Sequence, residues 1–91
     1  MLTFEWDDAK NAANLVKHGI SFEQATEIFQ DPLSLTIEDP EHSNHEGRFI
    51  TIGMTTSGLI AVASHTDREE NIRIVSARPA TIKERINYES A

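Results

Sequence analysis

Three observations predict an α+β domain: an aromatic strand signal at the N-terminus, two successive helical patterns before residue 31, and three alternating apolar runs between residues 48 and 78. The predicted order is β-α-α-β-β-β-β-α, an antiparallel sheet with its helices on one face. At 91 residues, without internal repeats or low-complexity segments, the chain is expected to be a single domain over 1–91.

Thr3 to Trp6 alternates polar and aromatic residues, as a short strand does. Asp7 and Asp8 then offer a helix N-cap, and Ala12, Leu15 and Val16 recur at helical spacing up to Gly19, so the first helix is read from about 8 to 18. Ser21-Phe22-Glu23-Gln24 fits a capping box, with Ala25, Ile28 and Phe29 on one face and Asp31-Pro32 closing the second helix near residue 30. Leu33 to Ile37 reads as a strand, and the polar stretch from Glu38 to Gly47 as an exposed loop.

Arg48 to Thr55 and Leu59 to Thr66 flank Thr56-Ser57-Gly58, a three-residue hairpin connection with glycine where a positive φ is needed. Asp67 to Asn71 reads as a charged turn into a last strand, Ile72 to Arg78, whose apolar side is expected at 72, 74 and, weakly, 76. Pro79 suits the first turn of a terminal helix, with Ala80 to Glu89 as its body.

A chain this short hides little more than ~60% of its unfolded surface on folding, and with no cysteine neither disulfides nor thiolate metal sites reinforce its small core. Packing or a partner must supply the stability. The longest apolar stretch, Gly58 to Ala63, is far too short to span a bilayer, and the N-terminus has no signal-peptide pattern, so a cytoplasmic protein away from membranes is expected. The net charge of −7 is uneven: residues 1–47 hold ten acids against Lys10 and Lys17, a balance of −8, whereas 48–91 balance at +1. Such acidity argues against unaided DNA binding, although a local arginine cluster suffices to hold a phosphate.

Lys17 and His18 sit together in the last turn of the first helix. Two readings stand: cations placed where the helix dipole favours them, or a pair in which the same dipole suits His18 to hold a phosphate or move a proton. Arg48, Arg73 and Arg78 start, occupy and end strands expected to be neighbours, and guanidinium groups suit the stabilisation of phosphoryl charge. His65, at a strand end beside Thr66 and Asp67, reads either as a second proton carrier or as a structural residue. His42 and His45 lie near Glu41 and Glu46 in the acidic loop, but loop ligands without thiolates or a second shell do not make a dedicated site, so no metal is expected. No nucleotide-binding glycine loop or nucleophile elbow occurs, and no cofactor is expected.

Phe4-Glu5-Trp6-Asp7, Lys10, Asn14, Lys17-His18-Gly19-Ile20-Ser21-Phe22, Phe29-Gln30-Asp31-Pro32, Arg48-Phe49-Ile50-Thr51-Ile52-Gly53, His65-Thr66, Arg73 to Arg78, Glu84-Arg85 and Tyr88-Glu89 together give the chain an end-to-end resemblance to the BrnT toxins of the RelE/ParE-like superfamily. The resemblance implies a ribonuclease toxin of a type II toxin-antitoxin system. It would cleave RNA by metal-independent 2'-hydroxyl attack, inhibit translation, and be neutralised by a BrnA-like antitoxin with a ribbon-helix-helix domain. The pair would form a heterotetramer, reaching operator DNA through the antitoxin alone. By position the resemblance makes Lys17, His18, His65 and Arg78 the catalytic candidates and Arg48, Arg73 and Tyr88 the RNA-binding ones. The alternative is a toxin-fold binding module without useful catalysis, acting as the antitoxin's partner in repression.

Overall fold

The computed structural model describes residues 1–41 and 47–90. Strand β1 spans Thr3–Glu5, helix α1 Asp8–His18 and helix α2 Phe22–Ala25, the last continuing as a 3-10 helix over Thr26–Gln30. Strands β2 (Leu35–Glu38), β3 (Arg48–Met54), β4 (Ile60–Arg68) and β5 (Asn71–Pro79) follow, and helix α3 (Ile82–Glu89) ends the fold. The α+β class and the element order are those expected from the sequence, with the second helix tightened into a 3-10 turn. There the Thr26 hydroxyl donates to the Glu23 carbonyl, a local bond that competes with helix continuation.

The boundaries of α1 follow from its caps. Asp7 accepts from the Lys10 N–H at 3.0 Å, a cap of about 1 kcal/mol, and Gly19 at φ 74° lets its N–H return to the Leu15 carbonyl at 2.9 Å. Ser21 accepts from the Gln24 N–H at 3.0 Å to open α2.

The five strands order as β1-β5-β4-β3-β2. β2 to β5 form an antiparallel meander, but β1 pairs in parallel with β5, so the sheet is mixed and the fully antiparallel expectation is corrected. The reason is topological. β1 enters the sheet far in sequence from β5, with no hairpin to impose an opposite direction, and Phe4 falls opposite Ile72 so that both apolar side chains face the helices.

That face carries the core: Ile20, Phe22, Ala25 and Ile28 pack on Ala61, Ala63, Ile72, Ile74 and Ala77, with Phe4, Trp6 and Phe29 at the margin. Burying Phe22 completely is worth about 2–3 kcal/mol, and the small side chains of β4 let the helices approach closely.

The expectation of helices on one face is also corrected. Pro79 is the last residue of β5, not part of a helix; the Ala80 N–H donates to the Ile60 carbonyl at 2.9 Å, and Thr81 caps α3. The chain thereby turns over the sheet edge, and Glu84, Asn87 and Tyr88 of α3 share an apolar hollow with Leu35, Ile37, Ile50, Ile52 and Val62 of the other face.

One irregularity decides which residues share that second face. Between Ser64 and His65 the register with β5 slips: Ser64 opposes Ser76, but His65 opposes Ile74. The extra residue, Val75, resets the alternation, so Ile74 and Ala77 both point into the core and the expected inward position at Ser76 is exposed. In a regular strand Arg73 and Arg78, five apart, would face opposite ways. The bulge puts them on one face.

Candidate active site

Beyond the hollow under α3, no helix among the described residues covers the second sheet face, and its polar residues come in cross-strand rows. Arg48 on β3 opposes Thr66 on β4, which opposes Arg73 on β5, which opposes Glu5 on β1. Two strand spacings put the Arg48 and Arg73 backbones about 10 Å apart. Arg73 Nη1 donates to Glu5 Oε2 at 3.1 Å, and these two residues line a hollow with Thr66, Arg68 and Asn71. In the next row Ser64 and Ser76 stand opposite each other; with Asp39, Pro40, Glu41, Arg48 and Ile50 they line a shallow depression of about 520 Å³. Cations flanked by hydroxyl donors on an open surface suit an extended anionic chain.

Arg78 lies on the same face, roughly 15 Å along β5 from Arg73. Its guanidinium grips Glu84 of α3 with both forks, Nη1 to Oε1 at 2.7 Å and Nη2 to Oε2 at 2.9 Å. Glu84 Oε1 also accepts from the Thr81 N–H at 2.8 Å while Thr81 accepts from the Glu84 N–H, a complete capping box. The Arg78 hydrogen bonds hold the Glu84 carboxyl down at about 2 and raise the guanidinium above its usual value.

His65 is placed elsewhere. It points to the helix-covered face, 1% exposed, its ring edge-on to Phe29 and stacked beside Phe49. Both ring nitrogens are engaged, Nδ1 with Asp67 Oδ1 at 2.5 Å and Nε2 with Thr51 Oγ1 at 2.7 Å. A carboxylate only accepts, so in the neutral ring Nδ1 donates to Asp67 and Nε2 accepts from the Thr51 hydroxyl. Thr51 Oγ1 lies 2.7 Å from the Thr36 hydroxyl, which extends the chain of bonds across β4, β3 and β2.

Tyr88 is buried, and its hydroxyl donates to the Asp31 carboxylate. That bond pushes the phenol up to about 12. At Asp31 burial pulls upward, but the bonds from Tyr88, the Leu33 N–H and the Met54 N–H prevail and leave its carboxyl below the usual range. Tyr88 thus pins α3 to the turn before β2. Lys17 is exposed and His18 half-buried at the end of α1, on the helix-covered side.

The structure therefore gathers Arg48, Arg73 and Arg78 on one open face and leaves Lys17, His18, His65 and Tyr88 outside it. His42 and His45 lie outside the described residues. Sequence reasoning missed Ser64, Thr66 and Arg68 on β4, which carry no site signal of their own, and Ser76, whose outward side is set by the bulge. It also missed Glu84, for which the capping-box spacing from Thr81 was a readable clue. Asn14 has no role legible in the sequence, yet its side chain is 8% exposed and ties α1 to the backbone of β5.

Residues 6–84 match the family model described as "Ribonuclease toxin, BrnT, of type II toxin-antitoxin system". Among solved structures, the Brucella abortus ribonuclease toxin BrnT superposes with a TM-score of 0.66 over 89% of this chain and 99% of that one, at 22% identity, a likeness that shows the fold. No curated protein sequence matches.

Proposed function

Since the chain belongs to the family of BrnT ribonuclease toxins of type II toxin-antitoxin systems, we propose that it cleaves RNA on the open sheet face by metal-independent 2'-hydroxyl attack in the RelE-like manner. The observation that carries this reading is the Arg48–Thr66–Arg73 row beside the paired serines. Attack of a 2'-oxygen on the adjacent phosphorus releases the 5'-oxygen and leaves a 2',3'-cyclic phosphate. The step needs a base, an acid and stabilised phosphoryl oxygens.

In this proposal Arg48 and Arg73 hold the backbone, and Arg78 stabilises the phosphoryl charge. Lys17 and His18 lie on the helix-covered side, but Asn14 fixes the end of α1 against Ala77, at the edge of β5 that β1 leaves unpaired and next to Arg78. From that edge we assign His18 to move a proton. His65 and Tyr88, each held by a carboxylate, support the sheet and α3 instead of touching RNA. No cofactor takes part.

The family implies an antitoxin partner. We assign it the BrnA-like, ribbon-helix-helix type in a heterotetramer, drawn by its basic charge to the first half of this chain, with its balance of −8. Operator DNA is reached through it. Among the described residues no helix is long and apolar enough to cross a membrane.

Induction without the antitoxin should arrest growth, and the purified chain should cleave single-stranded RNA in the presence of EDTA, leaving cyclic phosphate ends. Growth without arrest, with RNA intact, would favour the second reading, a binding module for repression. That reading draws on the carboxylates already engaging Arg73 and Arg78.

A further inference from the structure

A guanidinium presents two parallel N–H donors that match two oxygens of a carboxylate or two oxygens of a phosphodiester equally well. At Arg78 the carboxylate is already present: Glu84 accepts both donors, at 2.7 and 2.9 Å. The pair is not a sealed core contact. The Arg78 side chain remains 41% exposed and that of Glu84 33%, at the end of the face that carries Ser76, Ser64, Arg73 and Arg48. Glu84 reaches the site from the first turn of α3, where its Oε1 also accepts from the Thr81 N–H at 2.8 Å. A second arginine–carboxylate contact on this face, Arg73 to Glu5, is made by one nitrogen to one oxygen at 3.1 Å.

We propose that the Arg78 fork is a subsite for one phosphodiester of the RNA backbone and that Glu84 is its occupant in the RNA-free protein, an internal stand-in that the incoming phosphate displaces. The inference rests on the ribonuclease reading and adds to it the residue that opposes RNA at this position. Exchange of one anion for another means that RNA binding breaks an ion pair at the moment it makes a phosphate contact. Glu84 thereby weakens RNA binding in this acidic protein and holds Arg78 extended over the sheet until the strand arrives.

The test is binding of a single-stranded 2'-O-methyl RNA oligonucleotide, which lacks the attacking hydroxyl and stays intact. Glu84→Gln keeps the capping box, since glutamine serves at that position as glutamate does. It should bind several-fold more tightly than wild type, with a salt dependence steeper by about 0.7 in log–log slope, the signature of one more effective phosphate contact on a single strand. Glu89→Gln, which removes an exposed charge from the same helix, should change binding far less. Equal gains from the two variants would mean a general charge effect and overturn the subsite. Should Glu84→Gln melt out, Arg78→Gln carries the same test in the other direction: weaker binding supports the subsite and unchanged binding refutes it. Failure of every form, wild type included, to bind the oligonucleotide removes the ribonuclease reading as well, whereas wild-type binding with an indifferent Glu84→Gln removes this inference alone.

Discussion

Asn14 in α1 holds Ala77 in β5 by both of its backbone polar atoms: Oδ1 accepts from the Ala77 N–H at 3.2 Å, and Nδ2 donates to the Ala77 carbonyl at 2.8 Å. The same Nδ2 donates to the Ile20 carbonyl at 2.9 Å, just past the end of the helix. β1 pairs with β5 only over residues 71 to 73, so at Ala77 the strand has run beyond its neighbour and one side-chain amide takes the place of the missing strand. Asn14 thereby fixes the end of α1, with Lys17 and His18, against the segment that carries Arg78.

Asn14→Ala should cost about 3 kcal/mol, because it leaves buried backbone groups of Ala77 and Ile20 without partners. Asn14→Asp should cost at least as much despite its matching shape, since its carboxylate would face two carbonyl oxygens that it cannot bond. Chemical denaturation of the three proteins checks this order; an Asp variant as stable as wild type would contradict the assignment of the amide.

Gly53 faces the core side of β3 where the 3-10 helix crosses. A Cβ there would lie 2.9 Å from both the Ile28 Cβ and the Ile28 carbonyl oxygen, and 3.2 Å from the Ser34 Cβ. Because a backbone oxygen cannot step aside as a side-chain tip does, Gly53→Ala should destabilise by about 1–3 kcal/mol through overpacking. A melting temperature within a degree of wild type would show the contact to be looser than the geometry implies.

Glu84 titrates at about 2 in the folded protein, against 4.5 for a free glutamate side chain. A depressed folded value means stability that is present above the unfolded value and is lost as pH falls from about 4.5 toward 2. Melting temperature should therefore decline across that window, and Glu84→Gln should decline less steeply, with the remaining fall due to other carboxylates such as Asp31. Parallel profiles for the two proteins would show that the Arg78 contact adds nothing to the acid limb.

Much of this fold was legible because its signals are local. Asp7 and Gly19 bracket α1 by capping chemistry, and Gly58, at φ 90°, closes the β3–β4 hairpin with its N–H on the Thr55 carbonyl. What failed depends on distant parts of the chain. The direction of β1 is set by Phe4 meeting Ile72, far along the sequence, and the side on which α3 lands is set by apolar residues of β2 and β3. The bulge at Val75 is the sharpest case. One extra residue in Ile72-Arg73-Ile74-Val75-Ser76-Ala77-Arg78 leaves the composition of a strand untouched, yet it decides that Arg73 and Arg78 share a face. The expected alternation at 72, 74 and 76 would have put Arg73 and Arg78 on opposite faces, and only the bulge brings them to one, while His65, equally polar in sequence, is turned into the core by its Phe29 and Phe49 neighbours.

The central claim is that RNA is held and cleaved on the open sheet face, and the most direct measurement is the cleavage rate of the Arg48→Ala, Arg73→Ala double variant on single-stranded RNA in EDTA, with its melting curve recorded alongside. Both side chains lie on the sheet face opposite the core, Arg73 half-exposed and Arg48 half-buried with its Nε enclosed, so the fold should survive with a melting temperature lowered by no more than a few degrees. These arginines hold the backbone, and a hydrogen bond to a charged group is worth ~1.5–3 kcal/mol, so losing both should lower kcat/KM by at least ~10²-fold. A folded double variant that cleaves at the wild-type rate would contradict the account.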